Sequence, residues 1–297
     1  MTTRSAAARE LHLERLLRVG TCLAQCGYGA QVAQLAACAR ALRADAQLWA
    51  AHARHRGRNG RTVLMQAAWT GNVDRVKFLL DCGAGVEAAT RYGGTALMMA
   101  CEAGHCEAAH LLVERGGANV NAAIPSDGMT ALMWACKFGR LDIVRFLVER
   151  GGANVNLAGT STGTTALMVA SEFGRLDTVR FLVEHGGANV NAARTDSGLT
   201  ALMWASRKGH VEIARLLVER GGANVNAART DDGQTALMLA GKSFNSPLEI
   251  VRLLLELGAD KHARDHAGAS AYIHAIRDSA ISSYFHNTSA VTDLLKT

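Results

Sequence analysis

The strongest constraint on this chain is a phrase that recurs seven times, fullest as Gly-x-Thr-Ala-Leu-Met-x-Ala, with its hydroxyl residue at Thr62, Thr95, Thr130, Thr165, Thr200, Thr235 and Ser270. The first step is 33 residues and the next five are 35. A fixed period of this length specifies a solenoid, because each unit carries an apolar face that it can bury only against its neighbours. The 297 residues, 49% of them apolar, therefore read as one elongated array with an N-terminal piece.

The unit from Thr130 shows the local logic. Its hydroxyl can cap a short helix whose apolar side is Ala131, Leu132, Met133 and Ala135, and the helix should stop at Gly139. A second helix is predicted over Arg140–Glu149, with Leu141, Val144, Leu147 and Val148 on the buried face and Asp142, Arg145 and Glu149 pointing away. Gly151-Gly152 ends it, since glycine takes the left-handed conformation without a Cβ clash. Ala153-Asn154-Val155-Asn156 then begins an extended excursion whose turn contains Gly163.

Helix, turn, helix and hairpin, carried by G-x-T-A-L-M-x-A, then G-[RH]-x-[DE]-x-x-R-[FL]-L-V-E, then G-G-A-N-V-N, resemble the ankyrin repeat throughout residues 57–297. The tetratricopeptide pattern of similar period does not fit, because its Trp, Leu-Gly and Tyr are absent. The resemblance implies an all-α fold with short β-hairpin loops, a solenoid of about seven repeats, and an N-terminal helical cap over residues 1–56. Two departures stand out. Thr-Ala-Leu-Met replaces the family's Thr-Pro-Leu-His, which implies altered rigidity on the same fold. Glycine is doubled at Gly116-Gly117, Gly151-Gly152, Gly186-Gly187 and Gly221-Gly222, whereas the Thr235 unit gains residues in Ser243-Phe-Asn-Ser-Pro247 and keeps a single Gly258.

The net charge of +6 is concentrated at one end: residues 1–61 hold ten Arg against Glu10, Glu14 and Asp45, a balance of +7 that leaves −1 for the rest. Helical periodicity is good there, with Val32, Leu35, Ala36, Ala39 and Leu42 on one face. The stretch Cys38-Ala-Arg40-Ala-Leu42-Arg43-Ala-Asp45-Ala-Gln-Leu48-Trp49 resembles the second half of an F-box, although the family's leading Leu-Pro is missing. That resemblance implies a ubiquitin-ligase adaptor docked on residues 10–50; a cap over the first repeat is the other reading, and the two are compatible. The basic run Arg54-His-Arg56-Gly-Arg58-Asn-Gly-Arg61 would suit nucleic acid, anionic lipid or an acidic protein surface, and equally a solvated hairpin.

No 18-residue apolar run and no apolar leader are present, so no membrane span is expected and the seven cysteines are read as free thiols of a reducing compartment, cytoplasmic or nuclear. Cys22-x-x-x-Cys26 and Cys101-x-x-x-x-Cys106 lack zinc spacing, and no paired carboxylates, nucleophile elbow, zincin motif or phosphate loop is found, so no enzyme, metal or cofactor is expected.

The resemblance places a protein partner in a concave groove lined by hairpin tips and first helices. Offsets from each threonine map that face to Arg58, Arg61 and Trp69; Arg91, Tyr92 and Glu102; Asp127, Met129, Lys137 and Phe138; Glu172 and Phe173; Asp196, Leu199, Arg207 and Lys208; Asp231, Asp232, Gln234 and Lys242. The partner-binding set is Arg58, Arg61, Trp69, Arg91, Tyr92, Met129, Lys137, Phe138, Phe173, Leu199, Arg207, Lys208, Gln234 and Lys242, because aromatics and cations carry most interface energy. Trp134 and Trp204 share the slot of Val169 and Leu239 and are expected in the core. Asn121, Asn156, Asn191 and Asn226 stand where the family's hairpin asparagines resemble hydroxylase targets, although turn-forming side-chain bonds suffice to explain them. The resulting reading is a non-catalytic interaction scaffold, in its concrete version a substrate receptor of a ubiquitin ligase. The alternative is an architectural subunit of a ribonucleoprotein or cytoskeletal assembly, anchored by the Arg-rich N-terminus.

Overall fold

A computed structural model of the chain describes residues 59–241, 247–281 and 288–296. Each unit contributes two antiparallel helices: α1 Val63–Thr70 and α2 Val73–Asp81; α3 Ala96–Ala103 and α4 Cys106–His110; α5 Ala131–Lys137 and α6 Leu141–Glu149; α7 Ala166–Glu172 and α8 Leu176–Glu184; α9 Ala201–Lys208 and α10 Val211–Glu219; α11 Ala236–Ala240 and α12 Pro247–Glu256; α13 Ala271–Ile281 and α14 Thr288–Lys296. First helices pack on first helices and second on second, giving two layers that advance one unit at a time. Among the described residues the hairpins hold isolated antiparallel bridges, Ala123 with Thr130, Ala193 with Thr200 and Ala228 with Thr235, and no longer strand.

The threonines act as the sequence implies. In α5, Thr130 Oγ1 accepts from the Met133 N–H at 3.3 Å, and the same bond recurs from Thr62, Thr95, Thr165 and Thr200, each worth about 1 kcal/mol to its helix. Thr235 differs: its Oγ1 is buried without a partner and it heads a helix of only five residues. The methionine that replaces the family's histidine is buried in every one of these units, from Met65 to Met238, at 3% exposure or less. An unbranched thioether there fills the core between first helices and needs no hydrogen-bond partner.

The second helices bury a different arc from the one predicted. In α6 the solvent-free residues are Ile143, Val144, Phe146 and Leu147, while Leu141 and Val148 are half-buried. The reason is packing on three sides, since α6 meets α4, α8 and its own α5. Such a helix turns a broad sector inward rather than one stripe.

The doubled glycines lengthen the end of the second helix by one residue. In the Thr62 unit, Cys82 N–H reaches Phe78 O and Ala84 N–H reaches Leu79 O, the ordinary closure. In the Thr130 unit both Arg150 and Gly151 N–H reach Phe146 O, and Ala153 N–H closes on Leu147 O. After α4 the extra residue is absorbed inside the helix, whose last turn, Leu111–Arg115, is π-helical. The two glycines are needed for different reasons: a Cβ on Gly151 would stand 2.9 Å from Leu147 O, whereas Gly152 has open space but φ of +71°.

Consecutive units are stapled along the base of the hairpins. Asn156 Nδ2 donates to Gly187 O at 3.0 Å and its Oδ1 accepts from Asn189 N–H at 2.7 Å. Asn121, Asn191 and Asn226 repeat both bonds toward their own following units. Basic side chains at the helix turn tie the other corner: Arg175 Nε donates to Lys137 O at 3.0 Å, and His210 Nε2 lies 3.2 Å from Glu172 O. Both point back into the space above the preceding unit's turn glycine, Gly139 and Gly174 respectively.

Candidate functional site

Hairpin tips and first-helix C-termini present the residues that change from unit to unit. Backbone bonds link several neighbouring tips: Arg91 N–H to Asn59 O, Thr195 N–H to Thr162 O, Thr230 N–H to Ser197 O and His266 N–H to Asp232 O. Along the tips Arg91 is exposed and Tyr92, at 68% exposure, is the most exposed of the large apolar side chains among the described residues. Met129 and Gln234 are half-buried, their N–H groups held by Asp127 Oδ1 and Asp232 Oδ1.

Two tip arginines escaped the sequence reading. Arg194 donates from Nε and Nη2 to the two carboxylate oxygens of Asp196 at 3.0 and 2.6 Å. Bidentate bonding to Arg194, aided by Ser197 Oγ, holds the Asp196 carboxyl at about 2, well below the usual carboxylate value. Arg229 reaches Asp231 at 2.5 Å and Asp232 at 3.3 Å. The arginine precedes the acids by two or three residues, a signal that could have been read as a self-paired tip.

At the helix ends the structure gathers aromatics around cations. Lys137 Nζ stands 5.0 Å from the Trp134 ring centroid, 5.7 Å from Phe138 and 5.2 Å from Phe173. The Trp134 and Phe138 rings are stacked, 6.1 Å apart and 8° from parallel. Arg207 lies 5.8 Å over Trp204 and Arg61 lies 5.9 Å over Trp69. Lys208 approaches Glu172 at 4.0 Å. So Arg61, Trp69, Lys137, Phe138, Phe173, Arg207 and Lys208 all fall on helix ends or their approach, with Phe173 39% exposed.

Two expectations change, and others lie beyond the described residues. Trp134 and Trp204 are half-buried, not core: Val169 and Leu239 fill the same slot at 4% and 3% exposure, but an indole is too large for it and spills onto the face beneath a cation. The Trp134 Nε1 is shielded from solvent yet finds no acceptor. Leu199, at 6% exposure, is buried within the array and offers no surface to a partner. Arg58 and Lys242, together with the adaptor segment 10–50, lie outside the described residues.

Among the described residues no cluster of three or more His, Cys, Asp or Glu could hold a metal, and no helix is long and apolar enough to cross a membrane. Cys101 and Cys136 are free and wholly buried, and burial pushes their thiols far above the usual range, which makes them inert core residues.

Comparison with known proteins agrees with the architecture. The family model described as Ankyrin repeats (3 copies) matches residues 30–124, 117–194 and 187–265, its first copy starting within the segment that the sequence reading assigned to the cap. Among solved structures, the human ASB11 ankyrin repeat domain is similar at 27% identity with a TM-score of 0.65, covering 80% of this chain and 98% of that one. The ankyrin repeat domain of Bcl-3, a member of the IkappaB protein family, is similar at 27% identity with a TM-score of 0.64, covering 80% of this chain and all of the other. No curated protein sequence matches the chain.

Proposed function

We propose, from the premise that this chain belongs to the ankyrin-repeat family, that it is a scaffold which holds one specific protein partner against its helix ends and hairpin tips. Ankyrin repeats mediate protein–protein interaction in general. The observation that carries the specific reading is the contrast between a repeated frame and a non-repeated face: the same offset holds Trp69, Glu102, Lys137, Glu172 and Arg207 in successive units. Aromatic and arginine side chains at such positions are the usual anchors of binding energy. Catalysis has no part in this reading, and the buried free thiols suit the cytoplasm or nucleus.

In its most concrete form the scaffold is a ubiquitin-ligase substrate receptor, its residues 10–50 docking an adaptor while the array holds the client. The F-box-like stretch up to Trp49 motivates that form. The test is purification from the native cell of the full chain, a version lacking residues 1–50, and a face variant carrying Lys137→Glu and Arg207→Glu. A client lost only from the face variant supports the scaffold, and an adaptor and cullin lost only from the truncation support the ligase role. If the face variant retains every partner of the full chain, the scaffold reading is wrong.

A further inference from the structure

The charges on the face are not balanced once its internal pairs are set aside. Asp196 is engaged by Arg194, Asp231 and Asp232 by Arg229, and Glu172 by Lys208; among the described residues this leaves Arg61, Arg91, Lys137 and Arg207 against two carboxylates of the face, Glu102 and Asp127, the latter holding the Met129 N–H. Among the described residues no carboxylate pairs with Lys137 or Arg207; each instead lies over an aromatic ring, Lys137 over Trp134 at 5.0 Å and Arg207 over Trp204 at 5.8 Å. The Trp134 Nε1–H beside Lys137 also lacks an acceptor, but it is shielded from solvent and out of a partner's reach. Lys137 and Arg207 therefore lack the same thing, an anionic acceptor, and a carboxylate is the group that forms charge-assisted bonds with both ammonium and guanidinium.

The geometry also sets a spacing. Lys137 ends α5 and Arg207 stands in the last turn of α9, with α7 packed between them. At roughly 8–10 Å per packed helix, two steps span on the order of 20 Å, which an extended chain covers in about six residues at roughly 3.3 Å each. Phe173, at the end of α7 and 39% exposed, stands midway and offers an apolar ring.

We infer that the partner presents an extended acidic and apolar peptide segment, with carboxylates on Lys137 and Arg207 and an apolar side chain between them on Phe173. The inference rests on the face being the protein-binding surface proposed above. Single-stranded nucleic acid also combines negative charge with ring stacking. Its unbroken phosphate row would run past Glu102, Asp127, Glu172 and Asp196, whereas a peptide can place its carboxylates only where the cations stand.

The test uses the full chain and fluorescence anisotropy with three labelled probes: a peptide with Asp at the two spaced positions and Leu between them, the same peptide with Lys for both Asp, and an oligouridylate of equal length. The acidic peptide should bind roughly tenfold or more tightly than the lysine version, and the double variant Lys137→Glu with Arg207→Glu should reverse that order, since like charges in contact oppose binding. Lys137→Gln with Arg207→Gln should lose the preference without reversing it. Unchanged thermal unfolding checks that each variant is folded, as expected for half-exposed or exposed side chains at helix ends. Equal binding of the two peptides, tighter binding of the lysine peptide or the oligouridylate, or no binding of the acidic peptide overturns the inference. If native partners are nevertheless lost from the face variant, the scaffold reading survives that failure; if they are retained, both fall together.

Discussion

The base of the hairpins and the ends of the first helices run the length of the same array on the same period, yet they are built on opposite principles. At the base, Asn121, Asn156, Asn191 and Asn226 make the same pair of bonds to the next unit, with distances that stay between 2.7 and 3.2 Å. At the helix ends, one offset carries an indole, a carboxylate, an ammonium, a carboxylate and a guanidinium in turn. A bond that recurs in every unit adds to the stacking energy of the solenoid. A position whose side chain changes from one unit to the next makes no such repeated bond, and is free to match something outside the molecule.

If that division holds, substitutions on the two sides should separate stability from binding. The largest effect belongs to the shared core: Leu147, fully buried in α6, should cost about 2–5 kcal/mol as Leu147→Ala, read by urea unfolding. Gly151→Ala comes next, at about 1–3 kcal/mol, because its Cβ must be fitted against Leu147 O. The same change at Gly83, in a unit without the doubled glycine, meets no neighbour and should suffer only from its φ of +71°. Asn156→Ala should cost roughly 1–2 kcal/mol, since two exposed inter-unit bonds are lost but water can replace them. None of these four should weaken partner binding when assayed under conditions where the protein is folded. On the other side, Phe173→Ala should move stability by less than about 0.5 kcal/mol while costing on the order of 2 kcal/mol of binding. A Phe173 variant that unfolds early but binds normally would erase the distinction.

The frame was legible from the sequence because its signals are local and repeat. A threonine before an apolar run, a glycine after it and a 35-residue step leave few alternatives, and the caps at Thr62, Thr95, Thr130, Thr165 and Thr200 formed accordingly. The face was legible only by offset. An offset tells which positions point outward, but not how large a slot is, so Trp134 and Trp204 were assigned to the core by analogy with Val169. Nor does it show that Leu199, one residue before a capping threonine, is covered. Self-pairing of Arg194 with Asp196 and Arg229 with Asp231 depends on a turn that brings residues two apart into line, which periodicity does not encode. The wide buried arc of α6 was missed for a similar reason, as it arises from three neighbouring helices and not from the helix itself.

The smallest expected effect is the one that distinguishes the two sides by pH. The asparagine side chains that staple the base do not titrate, whereas Asp196 on the tips does. Its folded value, about 2, lies below the ordinary 3.8 because Arg194 bonds both carboxylate oxygens. A depressed carboxylate contributes stability that is complete above the unfolded value and disappears as pH falls through the folded one. Lowering the pH through that window should therefore release Arg194 and loosen the tip of the Thr200 unit, leaving the Asn156 amide resonances in place. Asp196 is exposed and Arg194 half-buried, so solvent screens the pair and global stability should register the change only weakly. Carboxyl NMR titration reads it directly: Asp196 should titrate well below 3.8 in the intact protein and return toward the ordinary range in Arg194→Gln. A normal titration in the intact protein would mean that the tip is held by its backbone bonds alone, and the two sides would then differ in sequence but not in their response to acid.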